Sequence, residues 1–422
     1  MIDPLILARG IHIAATALAS GTVFFKVLVA EPAAGATAPV NFSALRRRLK
    51  LLVWCALAGA VLSGVAWLVL LSAEILGASI LDVCLHGGTW QVVTDTRFGL
   101  VWCARLVVAI LLGMLLRWPR TGLLQSAAAA GLLGALAFIG HAGATPGASG
   151  QMHLASDFLH LVAAGGWVGA LPALALLLDH ARRAKGETWD SVATNTARRF
   201  SILGIISVGT LLATGLVNSW NLLAAPLDLI TTDYGRLLVL KIGLFAAMVY
   251  IAAFNRFSLT PRLALPRAMR ALERNAFIET GLGLCVLAVV GALGTMAPPV
   301  HSHVHVTISP IPSDAAFVHI HSEPAMAEVT IEPGRRGLAR ATILLMREDF
   351  SLFTAKAVQF VFTPKAQPDA PVISRAATRR ADGTWEVDKL EISQSGVWVV
   401  KLKVKADNLE PFVLDAPVVI DR

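Results

Sequence analysis

Apolar positions along this chain follow two rhythms. Through the first 300 residues they form long unbroken runs, and afterwards they alternate in short stretches with polar positions. The runs cover roughly residues 5–29, 49–72, 98–117, 121–141, 154–178, 201–223, 235–254 and 275–297. About 20 apolar residues in helical form cross the hydrocarbon core of a bilayer, so the pattern predicts eight transmembrane helices. Beyond residue 299, Val and Ile alternate with polar residues between Gly, Pro and Asp turns. That rhythm predicts a small all-β, immunoglobulin-like sandwich. The expected architecture is an all-α polytopic membrane bundle over residues 1–298, followed by a β-domain over 299–422.

Composition agrees: 55% of the residues are hydrophobic and the mean hydropathy is +0.66. The net charge of +8 divides unevenly, with 22 Lys and Arg against 13 Asp and Glu in residues 1–300, and 14 against 15 thereafter. The basic excess belongs to the membrane part and says nothing of nucleic acid. It clusters in alternate loops: Arg46, Arg47, Arg48 and Lys50, then Arg117 and Arg120, then Arg182 to Arg199, then Arg256 to Arg274. The intervening loops, 73–97, 142–153 and 224–234, are nearly free of it. The positive-inside rule then predicts both termini outside the cytoplasm, and eight spans fit that parity. The first run is too long for a signal h-region and its charges follow it, so it reads as a retained anchor.

The four cysteines form no CxxC pair. Cys84 and Cys103 are placed where a disulfide is feasible, whereas Cys55 and Cys285 read as unpaired apolar packing. With no phosphate-binding loop, phosphorylated Asp motif or CxxC metal module, an ATP-driven pump is excluded on this chain, and no enzymatic activity is expected.

The membrane part repeats itself. His12-Ile13-Ala14-Ala15 with Gly21 parallels His160-Leu161-Val162-Ala163 with Gly169. Arg48 precedes Ser63-Gly64 as Arg199 precedes Thr214-Gly215, and Phe98-Gly99 precedes Arg105 as Tyr234-Gly235 precedes Lys241. Gly140-His141-Ala142-Gly143 matches Gly291-Ala292-Leu293-Gly294. Helices 1–4 (residues 1–145) and 5–8 (150–298) are therefore expected to be parallel repeats, whose interface is the usual place for a site.

Ten of the eleven histidines fall on the predicted outer side; only His180 does not. Imidazole suits copper, zinc, iron and nickel, and polar groups within hydrocarbon are placed at a cost. His12 and His160 are repeat mates within apolar helices, and His141 ends the fourth run. An outer-leaflet cluster of His12, His141 and His160 is the main expected metal site. His153, Asp157 and His160 share one helix face, with the two histidines about 10 Å apart along the axis, too far to chelate one ion easily. Asp157 is placed to orient either ring. His86 and His180 read as ordinary polar side chains.

In the β-domain, His301, His303 and His305 alternate, as do His319 and His321, and alternation on a strand puts each set on one face. The first set fits either a metal-binding strand or a weakly binding linker; the second sits in the apolar run Phe317 to His321. Met152, Met296 and Met326 lie close in sequence to these histidines. Arg105, Lys241 and Glu279 are charges within spans, joined by Lys26. The two repeat-mate cations either pair with Asp157 or Glu279 or snorkel.

The run His160 to Leu171, with Arg199-Phe200-Ser201, Thr214-Gly215, Tyr234-Gly235-Arg236, Lys241 and Asn255-Arg256, resembles the copper resistance protein D family (CopD, PcoD) across about residues 1–297. The motifs Pro333-Gly334, Asp382-Gly383-Thr384-Trp385 and Gly396-Val397-Trp398 look like the small domains related to YtkA and FixH. The resemblance implies an eight-helix inner-membrane protein that handles copper, receiving it from a periplasmic CopC-like carrier and serving import or tolerance. Two other readings stay open: a haem-binding electron carrier using paired histidines, and a copper sensor or assembly factor without transport.

Overall fold

The computed structural model describes residues 3–35, 39, 41–139, 147–184, 186–223, 225–263, 265–294, 296, 312, 314–321, 325–347, 352–365, 372–406 and 410–421. The chain divides into two compact units, one of residues 1–143 and 149–299 and the other of residues 144–148 and 300–422.

The first unit is helical. Eight helices are long and apolar enough to cross a bilayer: α1 Pro4–Ala34, α2 Phe42–Leu76, α3 Arg97–Leu115, α4 Gly122–Ile139, α5 Gly150–Ala184, α6 Glu187–Trp220, α7 Asp233–Arg262 and α8 Pro266–Leu293. Every predicted run overlaps one of them. Several helices outrun the apolar stretch because their polar ends find partners. Arg182 on α5 bonds Glu273 on α8 at 2.9 Å, and Asp179 accepts from Arg182 and Arg183, each at 2.8 Å. The polar stretches 73–97 and 224–234 also hold short helices, Ile80–Leu85, Gly88–Asp95 and Asp228–Thr231. Ser79 caps the first by accepting the Asp82 amide at 3.1 Å, as hydroxyl residues do at helix starts. Gly77, at φ +59°, ends α2 in the left-handed conformation that glycine adopts most cheaply.

Residues that match in the two halves of the sequence have like surroundings at several positions. Thr96 and Thr232 cap α3 and α7 alike, accepting from Gly99 at 3.1 Å and from Gly235 at 3.0 Å. Each hydroxyl also donates back, to Val92 O at 2.6 Å and Asp228 O at 2.7 Å. A Cβ on either glycine would collide with the preceding short helix. The mates Gly21 and Gly169 meet each other: a Cβ on Gly21 would strike the backbone of Gly165 and Gly169, and one on Gly169 would strike Ala17 O. Gly21 and Gly169 thus lie against each other where α1 and α5 cross. Small residues permit this approach where lipid supplies no hydrophobic drive between helices. Burial follows: 67% of an apolar 18-residue stretch of α1 and of α5 is enclosed, against 6% for α7.

The second unit is a sandwich of two antiparallel sheets, ordered β1-β2-β3-β7-β6 and β5-β4-β8-β9. Its strands are β1 Ala316–His321, β2 Met326–Glu332, β3 Gly337–Met346, β4 Ala357–Pro364, β5 Ile373–Ala376, β6 Thr378–Arg379, β7 Trp385–Ile392, β8 Gly396–Lys405 and β9 Phe412–Ile420. Alternate residues such as Ala327, Val329, Ile331, Val400 and Leu402 fill the core, and Trp398 stacks on Phe362 at 4.5 Å. Pro417, which cannot donate to a ladder, lies on the edge strand β9.

The four cysteines are unpaired. Cys84 and Cys103 therefore form no disulfide. Cys55 and Cys285 are exposed on the helical bundle rather than buried in it.

Candidate functional site

Each repeat holds one imidazole against its own helices. In the first, His12 on α1 is buried. Its Nδ1 lies 2.8 Å from Ala60 O on α2. A carbonyl only accepts, so Nδ1–H is the donor and Nε2 carries the lone pair. Arg105 Nη2 on α3 donates to that Nε2 at 2.7 Å. The same guanidinium donates from Nη1 to Leu132 O on α4. Ser63 Oγ stands 3.5 Å from Nδ1, and Trp67 packs edge-on at 5.5 Å. The cavity bounded by His12, Gly64, Trp102, Arg105 and Leu132 measures about 30 Å³. That is room for about one or two waters and not for a porphyrin.

In the second repeat, His160 on α5 faces Thr214 on α6. Thr214 Oγ1 donates to Thr210 O at 2.6 Å, so its contact with His160 Nδ1 at 2.9 Å has the imidazole N–H as donor. The tautomer matches that of His12, and Nε2 is again the lone-pair nitrogen. Here no hydrogen bond reaches Nε2 among the described residues. Lys241 on α7, the mate of Arg105, interacts electrostatically with His160 and with Asp157. Asp157 accepts from Asn218 Nδ2 at 3.3 Å. Its partners are thus Asn218 and Lys241 rather than an imidazole, and Thr214 orients His160.

A second polar cluster lies toward the arginine-rich end of the same repeat. Glu279 on α8 is buried, accepts from Asn255 Nδ2 at 2.7 Å, and is hydrogen-bonded by Trp167. Asn275 Nδ2 donates to Asn255 Oδ1 at 2.7 Å. The carboxylate borders a cavity of about 390 Å³ that Ser201, Val208, Asn255 and Arg256 also line. Glu279 therefore pairs with amide and indole donors and not with Arg105 or Lys241. Lys26 bonds Gln125 at 3.1 Å.

The other histidines are dispersed. His153 is buried on α5, one turn before Asp157. His86 is exposed beside Asp82, and His180 packs edge-on against Trp189 at 4.8 Å. His319 on β1 pairs with Glu328 on β2 at 3.2 Å. His321 stands opposite Met326 in the strand register. His141, His301, His303 and His305 lie outside the described residues. Among the described residues, no three His, Cys, Asp or Glu side chains gather as a metal cage. His12 and His160 have separate partner sets, each within its own repeat. Sequence reasoning used Ser63 and Thr214 as repeat markers and missed that each stands beside the Nδ1 of an imidazole. It also missed Trp167 and Asn275; the one signal for them was polar or indole groups inside apolar spans.

Comparison with known proteins covers the helical unit. Residues 1–151 match the family model for the copper resistance protein D-like N-terminal domain, and residues 194–293 the model for copper resistance protein D. Copper resistance protein D of Pseudomonas syringae pv. tomato is 34% identical over 259 residues, covering 58% of this chain and 82% of that protein. Inner membrane protein YebZ of Escherichia coli is 33% identical over 216 residues, covering 50% and 72%. Copper transport protein CutJ of Bacillus subtilis is 34% identical over 169 residues, covering 40% and 29%. No solved structure matches.

Proposed function

The chain belongs to the copper resistance protein D family, and from that premise we propose that it binds copper at the arginine-poor face of a bacterial inner membrane and mediates its import or tolerance. The arginine-rich loops stay in the cytoplasm, so both termini and the β-domain lie outside. His160 is the ligand of the second repeat that this reading assigns. One observation carries this reading: Thr214 fixes the ring through Nδ1 and leaves Nε2, the metal-binding nitrogen, unbonded. A hydroxyl that accepts the ring's Nδ1–H in this way sets the tautomer and raises the basicity of Nε2. Asp157 offsets the Lys241 ammonium nearby, which otherwise repels a cation. The remaining donors come from the incoming copper carrier, of the CopC type. The relatives' names, copper resistance and copper transport, support this assignment. The protein acts as a carrier and not as an enzyme.

The test is copper accumulation in cells producing wild-type protein or His160→Ala at equal levels. Lower accumulation in the variant is expected, together with copper and no iron in the purified wild type. Equal accumulation overturns the import reading, and stoichiometric iron replaces copper with haem.

A further inference from the structure

The two stations are repeat mates with the same tautomer, yet they differ at the nitrogen that matters. We infer that Arg105 holds the first repeat's imidazole shut, so that His12 is a latent metal ligand and only the second repeat presents an open one.

A metal ion needs the lone pair on Nε2. On His12 that lone pair already accepts from Arg105 Nη2 at 2.7 Å. Arginine does not give up its proton in proteins, so the guanidinium also puts a fixed positive charge where the cation would sit. It is anchored on the far side by Leu132 O, with Thr16 Oγ1 at 3.5 Å. The surrounding space is about 30 Å³. Gly64 closes another side: a Cβ there would stand 3.0 Å from His12 Cε1, and Trp102 Nε1 bonds the Gly64 carbonyl at 3.2 Å. The linked groups tie α1 to α2 through Ala60, and α3 to α1 and α4 through Arg105. The first repeat is therefore stapled by the atoms that the second leaves available.

In the second repeat the corresponding cation is Lys241. It makes no hydrogen bond to His160 among the described residues, and a Cβ on Gly215, the mate of Gly64, would lie a relaxed 3.8 Å from His160 Cε1. Lysine is a flexible point charge, whereas arginine is a rigid fork that bridges two acceptors. The divergence between the repeats is that exchange.

The inference rests on the copper reading for the identity of the metal, but its first test does not. Full-length protein in nanodiscs is treated with diethyl pyrocarbonate, which acylates neutral imidazole nitrogen, and the modified peptides are counted by mass spectrometry. In the wild type, His160 is expected to react and His12 to stay protected. Arg105→Gln exposes His12, and Arg105→Lys, which copies the second repeat, does the same. Equal reactivity of His12 and His160 in the wild type overturns the inference without a variant. Copper counting then follows. Arg105→Gln should bind about one equivalent more than the wild type, since a freed imidazole is a competent copper ligand, and adding His12→Ala should remove the gain. A protected His12 with no copper on any variant retires the copper reading while the lock survives. An exposed His12 in Arg105→Gln without extra copper overturns the latent site.

Discussion

At the scale of single residues, the chemistry depends on which atom of a ring is spoken for. Thr214 decides this for His160. Thr214→Val removes the acceptor for Nδ1–H and should weaken copper binding about 10–100-fold, whereas Thr214→Ser should stay near wild type; competition titration against a copper chelator reads the difference. Glu279 is a separate case. Its carboxylate satisfies Asn255 and Trp167 within the bundle. Glu279→Leu strands those donors and should cost about 1–3 kcal/mol in denaturant unfolding. Glu279→Gln keeps an acceptor oxygen and should cost less. Equal losses would show that the hydrogen bonds contribute little.

At the scale of elements, the crossing of α1 and α5 is the tightest constraint. Gly169→Leu forces a side chain into the backbone of α1, so the folded, monodisperse fraction in detergent should collapse. Gly10→Ala is the matched control, because a Cβ there meets nothing within 4 Å. Similar behaviour of the two variants would remove the crossing from the account. In the β-domain, the turn into β7 is held by Asp382, whose oxygen accepts the Thr384 hydroxyl at 2.7 Å and amide at 2.9 Å. Those bonds lower the Asp382 pKa below its ordinary value. A lowered carboxylate contributes stability that is present above the unfolded pKa of about 3.9 and is lost as pH falls through the folded value. Asp382→Ala should therefore flatten the acid limb of the β-domain's unfolding curve.

At the scale of the whole molecule, the two units have independent cores. The sandwich buries Phe360, Phe362, Trp398 and Leu414 among its own strands. Residues 300–422 expressed alone should unfold cooperatively, followed by the fluorescence of Trp385 and Trp398. A gradual, non-cooperative loss would show that the sandwich needs the bundle. The described partners of His160 all lie in the bundle, so removing the β-domain should leave the reactivity of its Nε2 toward diethyl pyrocarbonate unchanged.

Much of this was legible in the chain. Runs of some 20 apolar residues leave a chain in hydrocarbon one economical option, the helix, so eight spans follow from pattern alone. The spacing of His12 to Gly21 and His160 to Gly169 carries the duplication. The alternation after residue 300 carries the sandwich. The longer helices were less legible because Arg182, near the end of α5, is held by Glu273, 91 residues away. The short ones at 80–95 were less legible because they rest on local caps, such as Ser79 on Asp82, inside a polar stretch without an apolar run. The state of the two imidazoles was not legible at all. Arg105 is 93 residues from His12, and Thr214 is 54 from His160. One-dimensional spacing marks these residues as repeat mates, but a hydrogen bond depends on distance and direction in space. Only the folded bundle brings the guanidinium onto one Nε2 and leaves the other open.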